Sequence, residues 1–316
     1  MASAGVAQQL TDKDPQPLSA AEQLTRFKAP AGFTVQLVAD ETQIQKPINI
    51  NFDAAGRLWV AGSTLYPWPA STDASGKPIP NFEKAYDELA SAFGAKGKAP
   101  PFSKEGKDTV RVLSGFDADG RATSVQVFAD KLNIPTGIQP LPRASGARGD
   151  SIVVYSIPNI WRMTDHDGDG IADQREVLYG PFGFLDTHGD ASSFNYWLDG
   201  WIYGTHGFRN HSEVKDRAGN TTTFDSGNTY RFRADGSKIE YWSHGQTNPF
   251  GLTFDSFGNL YSADCHSKPV YLLLRGGYYE GIGKQHDGLG FAPAITNDDH
   301  GSSGICGIAC YEAGQF

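Results

Sequence analysis

Short runs of alternating apolar and polar residues, broken by Asp, Gly and Pro, fill most of this chain. A period of two marks strands with one buried face. Gly32 to Asp40 (GFTVQLVAD) alternates in this way and is expected to be a strand. After it a hairpin phrase recurs, apolar-Asp-x-x-Gly-x-apolar-aromatic: NFDAAGRLWVAG (51–62), a shortened YWLDGWIYGTHG (196–207), and TFDSFGNLYSAD (253–264). Each predicts strand, turn, strand, because Gly supplies the positive φ that a tight Asp-Gly turn requires. Outer hairpins of the same kind are expected at 112–130 and 230–245, which implies a repeated four-strand unit.

Taking the residue before each inner strand aligns Asn49, Gly137, Gly189, Gly251 and Gly301, separated by 88, 52, 62 and 50 residues. The long first interval contains a Pro- and Lys-rich stretch, 66–108, read as an insertion with one helical segment, FEKAYDELASAF (82–93). Repeats of roughly 40 to 60 residues with four strands each predict an all-β fold, a β-propeller. A β-sandwich would not account for the fixed register of the Asp-Gly hairpins. Residues 1–30 read as an irregular tail and 31–316 as the propeller. Four to five blades fit into a chain of this length, so an incomplete six-bladed propeller is expected.

Composition narrows the function. Lys and Arg number 27 against 36 Asp and Glu, a net charge of −9, which argues against tracking a phosphate backbone. No apolar run is long enough for a membrane helix, and the N-terminus shows neither a basic start nor an apolar stretch of a signal peptide. Cys265, Cys306 and Cys310 lack CxxC or CxxCH spacing, so no haem or zinc site is read. Cys306 and Cys310 are too far apart along a strand to bridge, whereas Cys265 with Cys306, or three free thiols, both stay open.

Two constellations carry chemistry. Asp165, Asp167, Asp169, Asp173 and Glu176 occupy positions 1, 3, 5, 9 and 12 of a loop with Gly170 at position 6, the oxygen-ligand spacing of a twelve-residue Ca²⁺ loop. The flanks are strand-like, so this is expected to be a Ca²⁺-type loop on a hairpin, or a solvated Asp/Gly turn. The second constellation comes from the register. Lys46, Asp186 with His188, Thr247 with Asn248, and Asp298 with His300 all lie at or just before the start of an inner strand, and are expected to converge on the mouth of a central channel. Imidazole beside a carboxylate is the arrangement of a general base; polar strand starts around a hydrated channel are the plainer alternative. His206 and His244, at hairpin ends, could rim the same mouth.

With these phrases in place, the chain resembles the glucose/sorbosone dehydrogenase-like propellers, above all the large membrane-bound dehydrogenase-domain proteins of planctomycete-type bacteria. GFTVQLVAD, LNIPTGIQPLP, YSIPNIWRMTDHDGDGIADQREVLYGPFGF, DTHG, HGQTNPFGLTFDSFGNLYSADCHSKP and LLRGGYY carry the likeness, from about residue 31 onward. The resemblance implies a quinoprotein oxidoreductase acting on a sugar or alcohol, with pyrroloquinoline quinone and Ca²⁺ as cofactors and no haem in this chain. It implies His188 as the base and Asn248 as a cofactor contact; the register adds Asp186 as partner of the base and Lys46, Asp298 and His300 around the same cofactor, with Thr247 beside Asn248. The family's Arg before the Asn and Gln after it are Thr247 and Phe250 here. It also implies a periplasmic or secreted setting and a cytochrome c-type electron acceptor. A non-catalytic carbohydrate-binding or interaction propeller, and a metal-dependent lactonase, are the competing readings.

Overall fold

The computed structural model describes residues 17–266, 270–296 and 304–314. Its strands form four successive antiparallel blades of a β-propeller. The first joins β1 (Pro47–Phe52), β2 (Leu58–Gly62), β3 (Asp108–Phe116) and β4 (Ala122–Leu132) in that order. The second joins β5 (Gly137–Pro140), β6 (Ser151–Ser156), β7 (Asn159–Thr164) and β8 (Gln174–Tyr179). In the third, β9 (Ser192–Tyr196) and β10 (Ile202–His206) continue into an inserted hairpin, β11 (His211–Lys215) and β12 (Thr221–Asp225), before β13 (Asn228–Phe232) and β14 (Ile239–Gly245) complete the blade. The fourth holds β15 (Pro249–Phe254), β16 (Leu260–Asp264) and β17 (Val270–Leu273), and the short β18 (Tyr278–Tyr279) pairs in parallel with β14.

The Asp of each repeated phrase does the same work. Asp53 accepts from the amides of Ala55 and Arg57 and from the Trp59 indole at 2.9 Å. Asp255 accepts from Phe257, Asn259 and the Tyr261 hydroxyl, and Asp199 from Trp201 and Tyr203. One carboxylate therefore closes the turn and fixes the first aromatic of the next strand. Gly56 and Gly258, at φ 75° and 85°, supply the left-handed residue that this turn demands.

Inner strands β1, β5, β9 and β15 are consecutive neighbours. Side-chain amides stitch them together: Asn51 donates to the Ile138 carbonyl, Gln139 accepts from the Tyr196 amide, and Asn195 donates to the Leu252 carbonyl. Apolar cores fill the wedges between blades. Trp59, Phe128, Ile138, Val154 and Trp161 pack between the first and second. Tyr155, Ile160, Phe182, Phe194, Tyr230 and Phe232 do so between the second and third.

One expectation is corrected. Residues 32–40 form no strand: the Val38 carbonyl accepts the Ala122 amide, and Phe33, Val35 and Val38 are exposed. Alternation makes a strand only where a sheet edge pairs with it throughout. The fifth-blade start at Gly301 lies outside the described residues. The segment between β2 and β3 carries the helix α2 (Phe82–Ala92), a second helix after the short α1 (Ala20–Leu24). No described helix is long and apolar enough to cross a membrane.

Candidate active site

The chain entering β9 is a tight 3-10 turn, Thr187–Gly189, capped by Asp186. Asp186 Oδ1 accepts the His188 amide at 3.1 Å and lies 2.9 Å from His188 Nδ1. A carboxylate oxygen so engaged accepts, so in the neutral ring the proton sits on Nδ1 and Nε2 carries the lone pair. Asp186 is nearly buried, whereas the His188 side chain is 51% exposed, which leaves the basic nitrogen open to a ligand.

Three neighbours hold this turn. Asn210 accepts the Asp186 amide and donates to the carbonyls of Asp186 and Gly189, each at 2.9 Å. The Thr187 hydroxyl donates to the Pro67 carbonyl. Asn248 Nδ2 donates to the His188 carbonyl at 3.1 Å while its Oδ1 accepts the Phe208 amide. Asp264, at the end of β16, accepts the amides of Thr247 and Asn248 and so presents the asparagine.

Aromatic rings frame the imidazole. Tyr66 meets it edge-on at 5.5 Å and Phe93 at 4.6 Å, both from the segment between β2 and β3. Buried Asp108 holds the Tyr66 loop by accepting from Ser63, Thr64 and Leu65. Burial, the largest cause, pushes the Tyr66 phenol up to about 12, so it stays neutral.

The expected convergence is met by some residues and not by others. Asp186, His188 and Asn248 come together, with Thr247 next to Asn248 and its hydroxyl turned to Ile282. Lys46 lines a separate pocket of about 560 Å³ with Leu18, Phe27, Val38 and Ile44. Asp298 and His300 lie outside the described residues. His206 does not rim the mouth: it is buried between Phe182 and Phe224 with Nε2 on the Ser212 hydroxyl, and burial lowers its pKa to about 3. His244 stacks on Tyr278.

For the quinone that the resemblance implies, the described contacts do not fit. The Thr247 hydroxyl accepts the Ile282 amide, Thr247 is 2% exposed, and the Asn248 amide is spent on backbone.

The acidic loop joins β7 to β8 as a hairpin, with Thr164 opposite Gln174. Carboxylate oxygens of Asp165, Asp167 and Asp173 lie within 4.8 Å of one another. Asp165 accepts the amides of Gly168 and Gly170, and Asp173 that of His166. Asp169 and Glu176 are not in the group. Asp169 caps the Ile171 amide. Glu176 lies within β8 opposite Arg162 and pairs with Arg217, because strand geometry carries its carboxylate away from the loop.

Sequence reasoning passed over Asn210, Asp264, Tyr66, Phe93 and Asp190. Asp264 had a signal: it closes the third hairpin phrase directly opposite Pro249. The others carry none, since the contacts that define them span tens of residues. Cys265, Cys306 and Cys310 are free.

The chain matches the model of a domain of unknown function, DUF7133, over residues 19–298. No curated protein matches it. Among solved structures it is similar to a protein from Thermus thermophilus assigned as an oxidoreductase (glucose dehydrogenase), at 16% identity and TM-score 0.46, covering 84% of this chain and 73% of that one. It is also similar to the PQQ-bound form of aldose sugar dehydrogenase from Streptomyces coelicolor, at 17% identity, TM-score 0.27, and 56% and 71% coverage. A luciferin-regenerating enzyme aligns at 10% identity, TM-score 0.34, and 72% coverage of both chains.

Proposed function

Because this chain belongs to the DUF7133 family, a domain of unknown function, its activity has to be reasoned from the site, and we propose that it is an oxidoreductase acting on a sugar or other small alcohol, with His188 as general base. The observation that carries this reading is the half-exposed imidazole whose Nδ1 is held 2.9 Å from a nearly buried carboxylate.

His188 Nε2 accepts the hydroxyl proton of the substrate. Asp186 stabilises the imidazolium that forms and keeps the ring in place. The carbon-bound hydride leaves with two electrons to an acceptor. A bound quinone is the acceptor that the resemblance suggests; it would have to be held by groups other than Thr247 and Asn248, and a cytochrome c-type protein would take electrons from it. A periplasmic or extracellular setting belongs to the same reading.

In the same reading Asp165, Asp167 and Asp173 would hold a Ca²⁺ in the loop at 165–173 through their clustered carboxylates. Its role there is structural.

A second reading is favoured by the aromatic frame. Tyr66 and Phe93 beside His188 offer flat faces of the kind against which a sugar ring packs, and a carbohydrate-binding propeller without turnover would need no more. The two readings separate in one experiment. Dye-linked oxidation of a panel of aldoses and alcohols is measured with quinone and Ca²⁺ present, alongside saccharide affinity, for the protein and for His188→Ala. An oxidoreductase loses roughly 10²-fold or more of its turnover in the variant. Saccharide affinity unchanged in His188→Ala, with no oxidation by either protein, establishes the binding reading instead.

A further inference from the structure

Behind His188 and Asp186 lies a second carboxyl group that the chemistry above does not use. Asp190 follows the 3-10 turn, is 1% exposed, and has no well-formed hydrogen bond on either carboxyl oxygen among the described residues. The hydroxyls of Tyr155 on β6 and Tyr230 on β13, both fully buried, lack one too. The Tyr155 hydroxyl lies near enough to Asp190 to act on it as a weak, poorly aligned donor, and Tyr230 stands beside Tyr155. Asp186 on the same turn and Tyr66 from the loop after β2 are the other titratable groups that feel it. Apolar side chains of Ile157, Phe182 and Ala191 belong to the same core.

None of these facing groups is a cation. An ionised carboxylate buried with no cation and only a poorly aligned phenol beside it forfeits its hydration and regains little. A neutral carboxyl in the same place suffers far less, and its O–H can turn to a phenol oxygen. Burial, and after it the charge of Asp186, push Asp190 well above the usual carboxylate range, while the Tyr155 phenol pulls the other way.

We propose that Asp190 carries a proton at neutral pH and is a positioning residue, whose neutrality leaves Asp186 as the single carboxylate charge behind the His188 imidazole. Its protonation stands on the burial and the lack of well-formed partners alone; the positioning role rests on the reading of His188 as base. Two ionised carboxylates four positions apart on one turn would repel each other. With Asp190 neutral, the Nδ1 proton has one destination.

The linkage has a definite sign. A carboxyl whose folded pKa is raised binds its proton more tightly folded than unfolded, so its contribution is fully present below the unfolded value and is lost as pH rises toward the folded one. Asp190→Asn should therefore remove one proton from the difference between folded and unfolded states, and the melting temperature should fall less between mildly acidic and neutral pH. Infrared difference spectra of the whole chain, with isotope-labelled aspartate, should show a protonated carboxyl at neutral pH that Asp190→Asn abolishes and Asp186→Asn retains. Nitrogen NMR of His188 should find the Nδ1-protonated tautomer in the wild type and in Asp190→Asn, and its loss in Asp186→Asn.

No protonated carboxyl at neutral pH, or an unchanged pH slope in Asp190→Asn, overturns the protonation. A tautomer change in Asp190→Asn overturns the positioning role. If Asp190→Asn does not fold, the wild-type spectrum decides: a protonated carboxyl persisting above the ordinary range supports the proposal, and its absence sinks it. Failure of the wild type to oxidise any alcohol would remove the dehydrogenase reading and leave the spectroscopic outcome standing.

Discussion

The side-chain amide of Asn248 donates to the backbone carbonyl of His188, 60 positions earlier, at 3.1 Å. Its oxygen takes the Phe208 amide at 3.0 Å. One buried side chain thereby ties the start of the fourth blade to the turn that carries the proposed base. Truncation to Ala strands two backbone groups in a buried setting, at about 1–3 kcal/mol. Asn248→Ala is expected to lower stability by that order in denaturant unfolding and to weaken turnover or ligand binding together with it. Loss of stability with an unaltered His188 NMR signature would show that the asparagine does not hold the turn.

Gly207 makes that junction sterically feasible. A Cβ there would stand 2.2 Å from Asn248 Oδ1 and 2.7 Å from the Gly189 backbone. Gly207→Ala should destabilise by roughly 1–3 kcal/mol through overpacking, whereas at Gly307 a Cβ meets nothing within 4 Å and alanine should be neutral. Equal melting temperatures for the two variants would contradict the close packing of the turn.

Phe93 and Tyr66 wall the imidazole. Removing the Phe93 ring deletes its edge contacts with His188 at 4.6 Å and Trp68 at 5.5 Å. Phe93→Ala is expected to cost ligand affinity of order 0.5–1.5 kcal/mol with a smaller effect on turnover once substrate saturates. Titration calorimetry alongside kinetics separates the two; an effect on kcat alone speaks against a binding wall.

The acidic loop yields a test that discriminates within one motif. Ca²⁺ should raise the melting temperature of the wild type and of Glu176→Gln, because Glu176 is engaged by Arg217 outside the carboxylate group. Asp167→Asn, which removes one of the three clustered carboxylates, should blunt the rise. A response that depends on Glu176 would restore the full twelve-residue ligand set that the spacing suggested.

Buried His206 ties stability to acidity. Its folded pKa of about 3 lies below the ordinary value near 6.5. The unfolded chain therefore binds the proton more readily, and the contribution is fully present above about 6.5 and lost as pH falls toward 3. His206→Gln should make unfolding free energy fall less steeply across that window. The same steepness in wild type and variant would mean that His206 is protonated, or solvated, in the folded state.

The repeated Asp-Gly phrases announced the hairpins because their determinants are local: Asp53, Asp199 and Asp255 close their own turns and reach an aromatic only four to six positions ahead. Asp186 and His188 were legible as a pair for the same reason, being two residues apart on one turn. The strand predicted over 32–40 went astray because pairing needs an edge, which alternation does not reveal. Glu176 was misread because loop spacing took no account of the strand beginning at Gln174.

By itself, then, the amino-acid order determined the turns and the local dyad, through hydrogen bonds a few residues long, and the multi-bladed architecture, through the recurrence of those turns at blade-length intervals. Only the tertiary structure decided what surrounds that dyad: the rings of Tyr66 and Phe93, the clamps from Asn210 and Asn248, and the buried acid of Asp190. These depend on how blades and the segment between β2 and β3 are juxtaposed, and burial, which governs whether a carboxyl keeps its proton, is a property of that packing and not of any stretch of sequence.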